Sequence, residues 1–334
     1  MRQAESIGML MPHEPQKGGR QMAKYCVGID VGGTTVKMGI FTEDGTLKEN
    51  WEIPTRKDEG GSYILSDIAA SLTSKWESMS IAKEEIIGIG IGIPGPIMED
   101  GTVLKCANLG WGVFNVAEEV RKLTGIENVK VGNDANVAAL GEVWQGGGKG
   151  YQNIIMITLG TGVGGGVILG GKILTGSKGA AGEIGHITVN YEEEDTCGCG
   201  KKGCLEQFAS ATGIVKEAKR LLITSDKPSK LRDLQYLSAK AIFDCAKEGD
   251  ELANDLVEQL GKYLGLAASH IAAVVDPDAF VIGGGVSKAG EMLTSLIKKY
   301  YEQNVMFALQ NKEFRLAELG NDAGIYGSAR MVLE

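Results

Sequence analysis

A chain of 334 residues, 43% apolar and 23% charged, is globular in composition and too long for one ordinary core, so two domains are expected. Its net charge of -9 and pI near 5.1 exclude a general nucleic-acid binder, whose surface is basic. No apolar run approaches the ~18 residues that suggest a membrane helix. Residues 1–22 carry Pro12, Pro15, Gly18 and Gly19 but no apolar stretch behind their early arginine. They read as a disordered leader, a tag or an upstream start, because Met22 directly precedes the first strand; with no export signal, the expected location is the cytoplasm.

In chain order, residues 25–45 form two runs of alternating β-branched and glycine positions around Gly32-Gly33, which predicts a hairpin. Asp44-Gly45 turns into a third strand over 46–53. Helical spacing covers 62–79, and 86–96 is a strand of alternating Ile and Gly stopped by two prolines. A helix is expected over 114–124 with Gly125 as its stop, then a buried strand at 129–131 leading into a helix over 134–144. Residues 153–160 and the following GGGVILGG form a second glycine hairpin. Strand, glycine turn and strand thus recur, a weak internal duplication. Beyond the cysteines, helices are expected over 212–224, 238–247 and 250–275, with a polar loop at 225–235. A strand at 279–287 precedes a helix reaching about Tyr301; a last strand covers 314–319 and a closing helix 323–333. Strands alternating with helices after an opening meander predict an α/β fold in two lobes. The division is placed as residues 23–138 with 322–334 in a small domain, and 139–321 in a large one.

The glycine turns point to phosphate. Asp30 ends a strand and is followed by Gly32, Gly33, Thr34, Thr35 and Lys37. Such a turn lets backbone N–H groups approach a polyphosphate, the threonines add donors, and Asp30 orients Mg²⁺ through water; alone, the motif is as consistent with a plain hairpin. Gly160, Thr161 and Gly162 open a run that matches G-x-G-x-x-G, but Val167 to Leu169 continue as strand, so a Rossmann site is rejected. Residues 166–172 nearly spell a Walker A loop, yet Ile173 stands where Ser or Thr is needed, and that reading is rejected too. What remains is two glycine hairpins facing each other across a cleft. A third turn, Gly283-Gly284-Gly285, either packs against an adenine or ribose or is an ordinary strand-to-helix turn.

Asn133-Asp134-Ala135-Asn136 lies where a buried strand meets a helix. Asp134 is either the helix N-cap or, at the strand mouth, a general base for a hydroxyl. Glu183 and His186 share a face if their segment is a helical turn, and Glu206 follows the cysteines. Carboxylates beside Asn amides suit a neutral polyol, whose hydroxyls both donate and accept. Cys197, Cys199 and Cys204 sit on a Gly-rich loop, and His186 is the natural fourth ligand, since His13 is in the leader and His270 in a helix. A closed Cys₃His set is a structural zinc site. Cys26, Cys106 and Cys245 read as core thiols.

At these residues the chain resembles the ROK family of sugar kinases and repressors. GIDVGGTTVKMGI is similar to its first phosphate motif, TLGTGVGGGVI to its second, and GEIGH followed by CxCGxxGCxE to its signature. The resemblance runs from about Tyr25 to the C-terminus and is strongest to the family's bacterial glucokinases. It implies an actin/hexokinase-like, RNase H-like ATPase fold with a central cleft, usually homodimeric through the helical half. It implies Asp134 as catalytic base, a hexose held by Asn108, Asn133, Asp134, Glu183, His186 and Glu206, zinc on His186, Cys197, Cys199 and Cys204, and MgATP as donor to the 6-OH of glucose. Competing expectations are a kinase for fructose, mannose, allose or N-acetylmannosamine, polyphosphate as donor, and a sugar-responsive regulator without turnover. The short leader and intact Asp30 and Asp134 weigh against the regulator.

Overall fold

The computed structural model describes residues 24–333, so the leader lies outside the described residues. Strands β1 (Tyr25–Val31), β2 (Thr35–Thr42) and β3 (Leu47–Pro54) form the expected meander. Helix α1 (Ile64–Met79) leads to β4 (Ile86–Ile93), and α2 (Val116–Thr124) to β5 (Val129–Asn133). Their sheet has the order β3-β2-β1-β4-β5, antiparallel on the β3 side of β1 and parallel on the other. The long helix α3 (Asp134–Gln145) crosses to the second lobe without a break, so the division expected after residue 138 falls inside a continuous helix.

The second lobe repeats the first. Strands β6 (Ile154–Leu159), β7 (Val163–Leu169) and β8 (Lys172–Ile173) form a meander. Helices α4 (Ala211–Thr224), α5 (Ala239–Lys247) and α6 (Glu251–Val275) follow. Then come β9 (Ala279–Gly283), α7 (Glu291–Asn304), β10 (Glu313–Leu316) and α8 (Ala323–Met331). The sheet order is β8-β7-β6-β9-β10, with the same directions as its counterpart. The duplication therefore extends from one hairpin to a whole five-stranded sheet in each lobe, the two-lobed actin-like architecture.

The Ile/Gly alternation of β4 now has a cause. Ile89, Ile91 and Ile93 join Val27, Ile29 and Val31 in a core with α1 and α2. Gly90 of β4 and Gly28 of β1 face α8 instead: a Cβ on Gly90 would stand 1.7 Å from the Ser328 carbonyl oxygen, and one on Gly28 1.8 Å from that of Ile325. Helix α8 follows the second sheet yet packs on the first, where Ile325 and Ala329 meet Cys26 and Phe41. Helix α3 follows the first sheet yet packs on the second, where Val137 and Leu140 meet Ile154, Met156 and Ala279. The two exchanged helices also touch one another, Gly141 against the Ala323 carbonyl and Gly327 against that of Val137. They are the joint between the lobes.

Several expected boundaries shift. Helix α2 starts at Val116 because Phe114–Asn115 pairs with Thr102–Val103, and the Asn115 side chain caps the helix by accepting from Glu118 N–H at 2.9 Å. The last strand stops at Leu316, since the N–H groups of Glu318 and Leu319 donate to the buried Glu142 carboxylate at 3.0 and 2.9 Å and leave the sheet. The strand expected to reach residue 287 ends at Gly283 and gives way to a 3₁₀ turn, Gly285–Ala289. The polar loop at 225–235 contains a 3₁₀ turn, Lys230–Asp233, capped by Ser229. Cys26, Cys106 and Cys245 are buried free thiols, as expected. Among the described residues no helix is long and apolar enough to cross a membrane.

Candidate active site

Between the lobes lies a cleft of about 410 Å³ lined by Asp30, Lys37, Asp134, Thr158, Asn321 and Gly324 among others. Asp30 arrives on the end of β1, Asp134 on the first turn of α3, and Thr158 on β6. Asn133, not Asp134, is the N-cap: its Oδ1 accepts from the N–H groups of Ala135 and Asn136 at 3.1 and 3.2 Å. Asp134 is thereby released from capping. Its Oδ1 accepts from Ala135 N–H at 2.8 Å and Asn133 Nδ2 at 3.0 Å, while Oδ2 has no bond among the described residues.

Electrostatics set the two carboxyls apart from surface acids. Burial raises Asp134, and its two hydrogen bonds offset that only in part. Burial also raises Asp30, and the charge of Asp134 pushes it further, to about 6, against the opposing pull of Lys37. Lys37 itself donates to the Asn321 carbonyl at 3.0 Å and lies 3.6 Å from Asp322. Because Asp30 is held up from its ordinary 3.8, the folded chain ionises it less readily than the unfolded chain does. Its cost to stability is absent at pH below both values, grows between them, and is complete above pH ~6. Asp30→Asn is therefore expected to melt higher than the wild type at pH 7.5, by about 2 kcal/mol, with the difference vanishing toward pH 4. Thermal melts across pH check this; an unchanged melting curve at pH 7.5 would refute the desolvation of Asp30.

The two glycine turns are built differently from ordinary hairpins. In the first, Gly32 N–H bonds the Thr35 carbonyl at 3.0 Å, while Thr55 holds the carbonyls of Gly32 and Thr34 at 2.7 and 2.9 Å. A Cβ on Gly33 would meet nothing within 4 Å. In the second, Ala211 N–H and the Thr212 hydroxyl occupy the carbonyls of Gly160 and Thr161 at 2.8 and 2.6 Å. The N–H groups of Thr161 and Gly162 carry no bond among the described residues, and a Cβ on Gly160 would be no nearer than 4.0 Å to any neighbour. Neither Gly33 nor Gly160 is demanded by internal packing. Both leave an open backbone cradle of the kind that accepts phosphate oxygens. The run after Gly160 continues into β7, not a helix, and Lys172 lies in β8, in keeping with rejection of the Rossmann and Walker readings.

Gly284 turns with φ +82, its backbone pressed on Leu159 at the end of β6. A second cavity of about 730 Å³ opens beside Thr161 and runs along Thr212, Val215 and Lys216 to Leu237. It adjoins the second turn at Thr161.

The sugar candidates are grouped in part. Asn133 Nδ2 also donates to the Gly95 carbonyl at 3.1 Å, tying β5 to the loop after β4. Glu183 and His186 lie on a 3₁₀ turn, with Glu183 Oε2 4.0 Å from His186 Nε2. Glu206 accepts from Val163 N–H at 3.0 Å through Oε2. Asn108 is exposed on the 3₁₀ turn Ala107–Leu109 and makes no side-chain hydrogen bond among the described residues. Its neighbour Cys106 is near enough to Asp134 for that charge to help raise its thiol, after burial. Lining residues that the motifs did not indicate include Gly320, Asn321 and Gly324, while Thr158 opens the second phosphate motif. The approach there is close: a Cβ on Gly324 would fall 2.6 Å from the Asp30 carboxyl.

His186, Cys197, Cys199 and Cys204 converge, with ligand atoms all within 4.8 Å of one another. His186 Nδ1 is 3.8 Å from Cys197 Sγ, and Cys199 Sγ is 3.6 Å from Cys204 Sγ. Tetrahedral zinc with ~2.3 Å thiolate bonds requires sulfur separations of about 3.8 Å. Burial and crowding by the other thiols push Cys204 up to about 12, a repulsion that a divalent cation reverses. The donor set therefore fits zinc. In the acidic stretch between His186 and the cysteines, buried Glu193 receives Arg220 of α4 at 2.7 and 2.9 Å and pins the loop.

The chain is similar to known proteins over nearly its whole length. The ROK family profile matches residues 26–334. A glucokinase of Halalkalibacterium halodurans is 45% identical over 92% of this chain and 95% of its own length. One of Streptomyces coelicolor is 35% identical, over 92% and 97%. The crystal structure of a ROK family glucokinase from Streptomyces griseus in complex with glucose and AMPPNP superposes with a TM-score of 0.68 at 33% identity, covering 92% and 98%. A ROK hexokinase from Thermus thermophilus gives 0.74 at 30%, covering 91% and 96%. The chain belongs to the ROK family.

Proposed function

We propose that this protein is a glucokinase that transfers the γ-phosphoryl group of ATP to the 6-OH of glucose. The observation that carries the reading is half-buried Asp134, freed from capping, in one cleft with Asp30, Lys37 and Thr158, whose strands lead to two glycine turns with open backbone. The 45% identity to a glucokinase over nearly the whole chain supports the sugar.

The sugar is held by Asn108, Asn133, Glu183, His186 and Glu206, with Asp134 beside its 6-OH. Asp134 Oδ2 accepts the hydroxyl proton as the oxygen bonds to the γ-phosphorus and the bridging P–O bond to ADP breaks. Asp30, Gly32, Gly33, Thr34, Thr35 and Lys37 from one lobe, and Gly160, Thr161 and Gly162 from the other, position the phosphates; Gly284 borders the nucleoside. Asp30 would hold Mg²⁺, which would supply neutralisation of phosphate charge. Closure of the lobes excludes water as a competing acceptor. His186, Cys197, Cys199 and Cys204 would hold zinc, which would fix the imidazole ring in place, while His186 Nε2 lies 4.0 Å from Glu183 Oε2 beside the sugar. A cytoplasmic homodimer belongs to this reading, and exposed Met306 and Phe307 offer apolar surface to a second copy.

Phosphorus NMR of the product tests the transfer: glucose 6-phosphate is expected, with ATP far better than polyphosphate as donor. A different phosphorylated position or a polyphosphate preference would overturn that assignment. For the metal, one zinc per chain is expected by elemental analysis. Stripping it should lower both the melting temperature and kcat/KM, because His186 is shared between the metal set and the sugar set. Stripped protein with unchanged stability and turnover would contradict a structural zinc.

A further inference from the structure

Glu206 sits in two places at once. The sugar reading assigns its carboxylate to a hydroxyl, yet Oε2 accepts the N–H of Val163, the residue that closes the second glycine turn and opens β7, at 3.0 Å. The contact is tight, since a Cβ on Gly162 would stand 2.2 Å from that oxygen. The stem of Glu206 is braced as well. Its carbonyl accepts the Ser210 hydroxyl at 2.7 Å, and Ser210 caps α4 by accepting from Gly213 N–H at 2.9 Å. The next residues, Ala211 and Thr212, hold the carbonyls of Gly160 and Thr161. One short segment, 206–212, therefore carries both a sugar ligand and the braces of the phosphate turn.

We propose that Glu206 is a positioning residue that couples the two substrates. One carboxylate oxygen takes the sugar hydroxyl while the other fixes Val163 N–H, so that bound sugar orders the turn at Gly160, Thr161 and Gly162 for the nucleotide. Linkage requires the reverse: nucleotide on the turn tightens sugar. This rests on the assignment of Glu206 to the sugar in the glucokinase reading.

The test uses the full-length, zinc-loaded chain and calorimetric titration of glucose with and without AMPPNP. Wild type is expected to bind glucose at least about fivefold more tightly with the nucleotide analogue present. Gly162→Ala displaces the flexible carboxylate end rather than backbone, so the fold should survive. It is expected to weaken glucose about tenfold even with no nucleotide in the cell, which a turn serving phosphate alone would not do. Glu206→Asp, one methylene shorter, keeps a carboxylate for one partner and loses the span to the other; the nucleotide tightening should disappear. Unchanged glucose affinity in Gly162→Ala, or undiminished tightening in Glu206→Asp, would overturn the coupling. Wild type that binds glucose with no tightening at all would do the same while leaving the glucokinase reading in place. Wild type that binds no glucose would remove that reading and the coupling with it.

Discussion

Asp134→Asn is expected to lower kcat about 10²- to 10⁴-fold, the range of a general base, while glucose affinity changes less than about threefold. The reason is local. Asparagine keeps an oxygen for Ala135 N–H and Asn133 Nδ2, the two bonds that orient the side chain. The position most exposed to the cleft becomes an amide nitrogen, which takes no proton from a hydroxyl. The N-cap is Asn133, so α3 keeps its start and the variant should fold. Separate measurement of glucose binding and single-turnover chemistry distinguishes the two effects. A variant with wild-type kcat would remove Asp134 from the base role.

Gly327→Ala is expected to be among the most damaging single methyls in the described residues. Its Cβ would lie 1.7 Å from the Val137 carbonyl oxygen and 2.8 Å from the Gly141 nitrogen, so only a backbone shift relieves it. That shift separates α3 from α8, and each of these helices is also the lid on the other lobe's sheet. The cost should reach about 4 kcal/mol, roughly 6 °C in melting temperature, above the ordinary range for overpacking. Gly112→Ala is the control, because a Cβ there meets nothing within 4 Å. Equal melting temperatures for the two variants would show that the helix crossing is not the joint.

What could be read in the sequence was chemistry that demands particular residue types at short range. The convergence of the Cys₃His set was legible because clustered thiols with one histidine suit a metal better than a core, whereas each glycine turn and Asp134 alone left a plain hairpin or a helix cap open. The Ile/Gly alternation announced a strand but not that its glycine side receives a helix from the far end of the chain. Asn133 and Asp134 are both good caps, and only the geometry shows which one caps. Lys37 meets Asn321 and Glu142 anchors Glu318 and Leu319 across long sequence separations, with no local pattern to mark either. The tie from Glu206 to Val163 was hidden for the same reason.

Sugar phosphorylation itself is checked by following ADP release from MgATP over a panel of hexoses with the zinc-loaded protein. Glucose is expected to turn over with kcat/KM well above fructose, mannose, allose and N-acetylmannosamine. Preference for another hexose would contradict the assignment to glucose, and absence of turnover with every sugar would contradict the kinase itself.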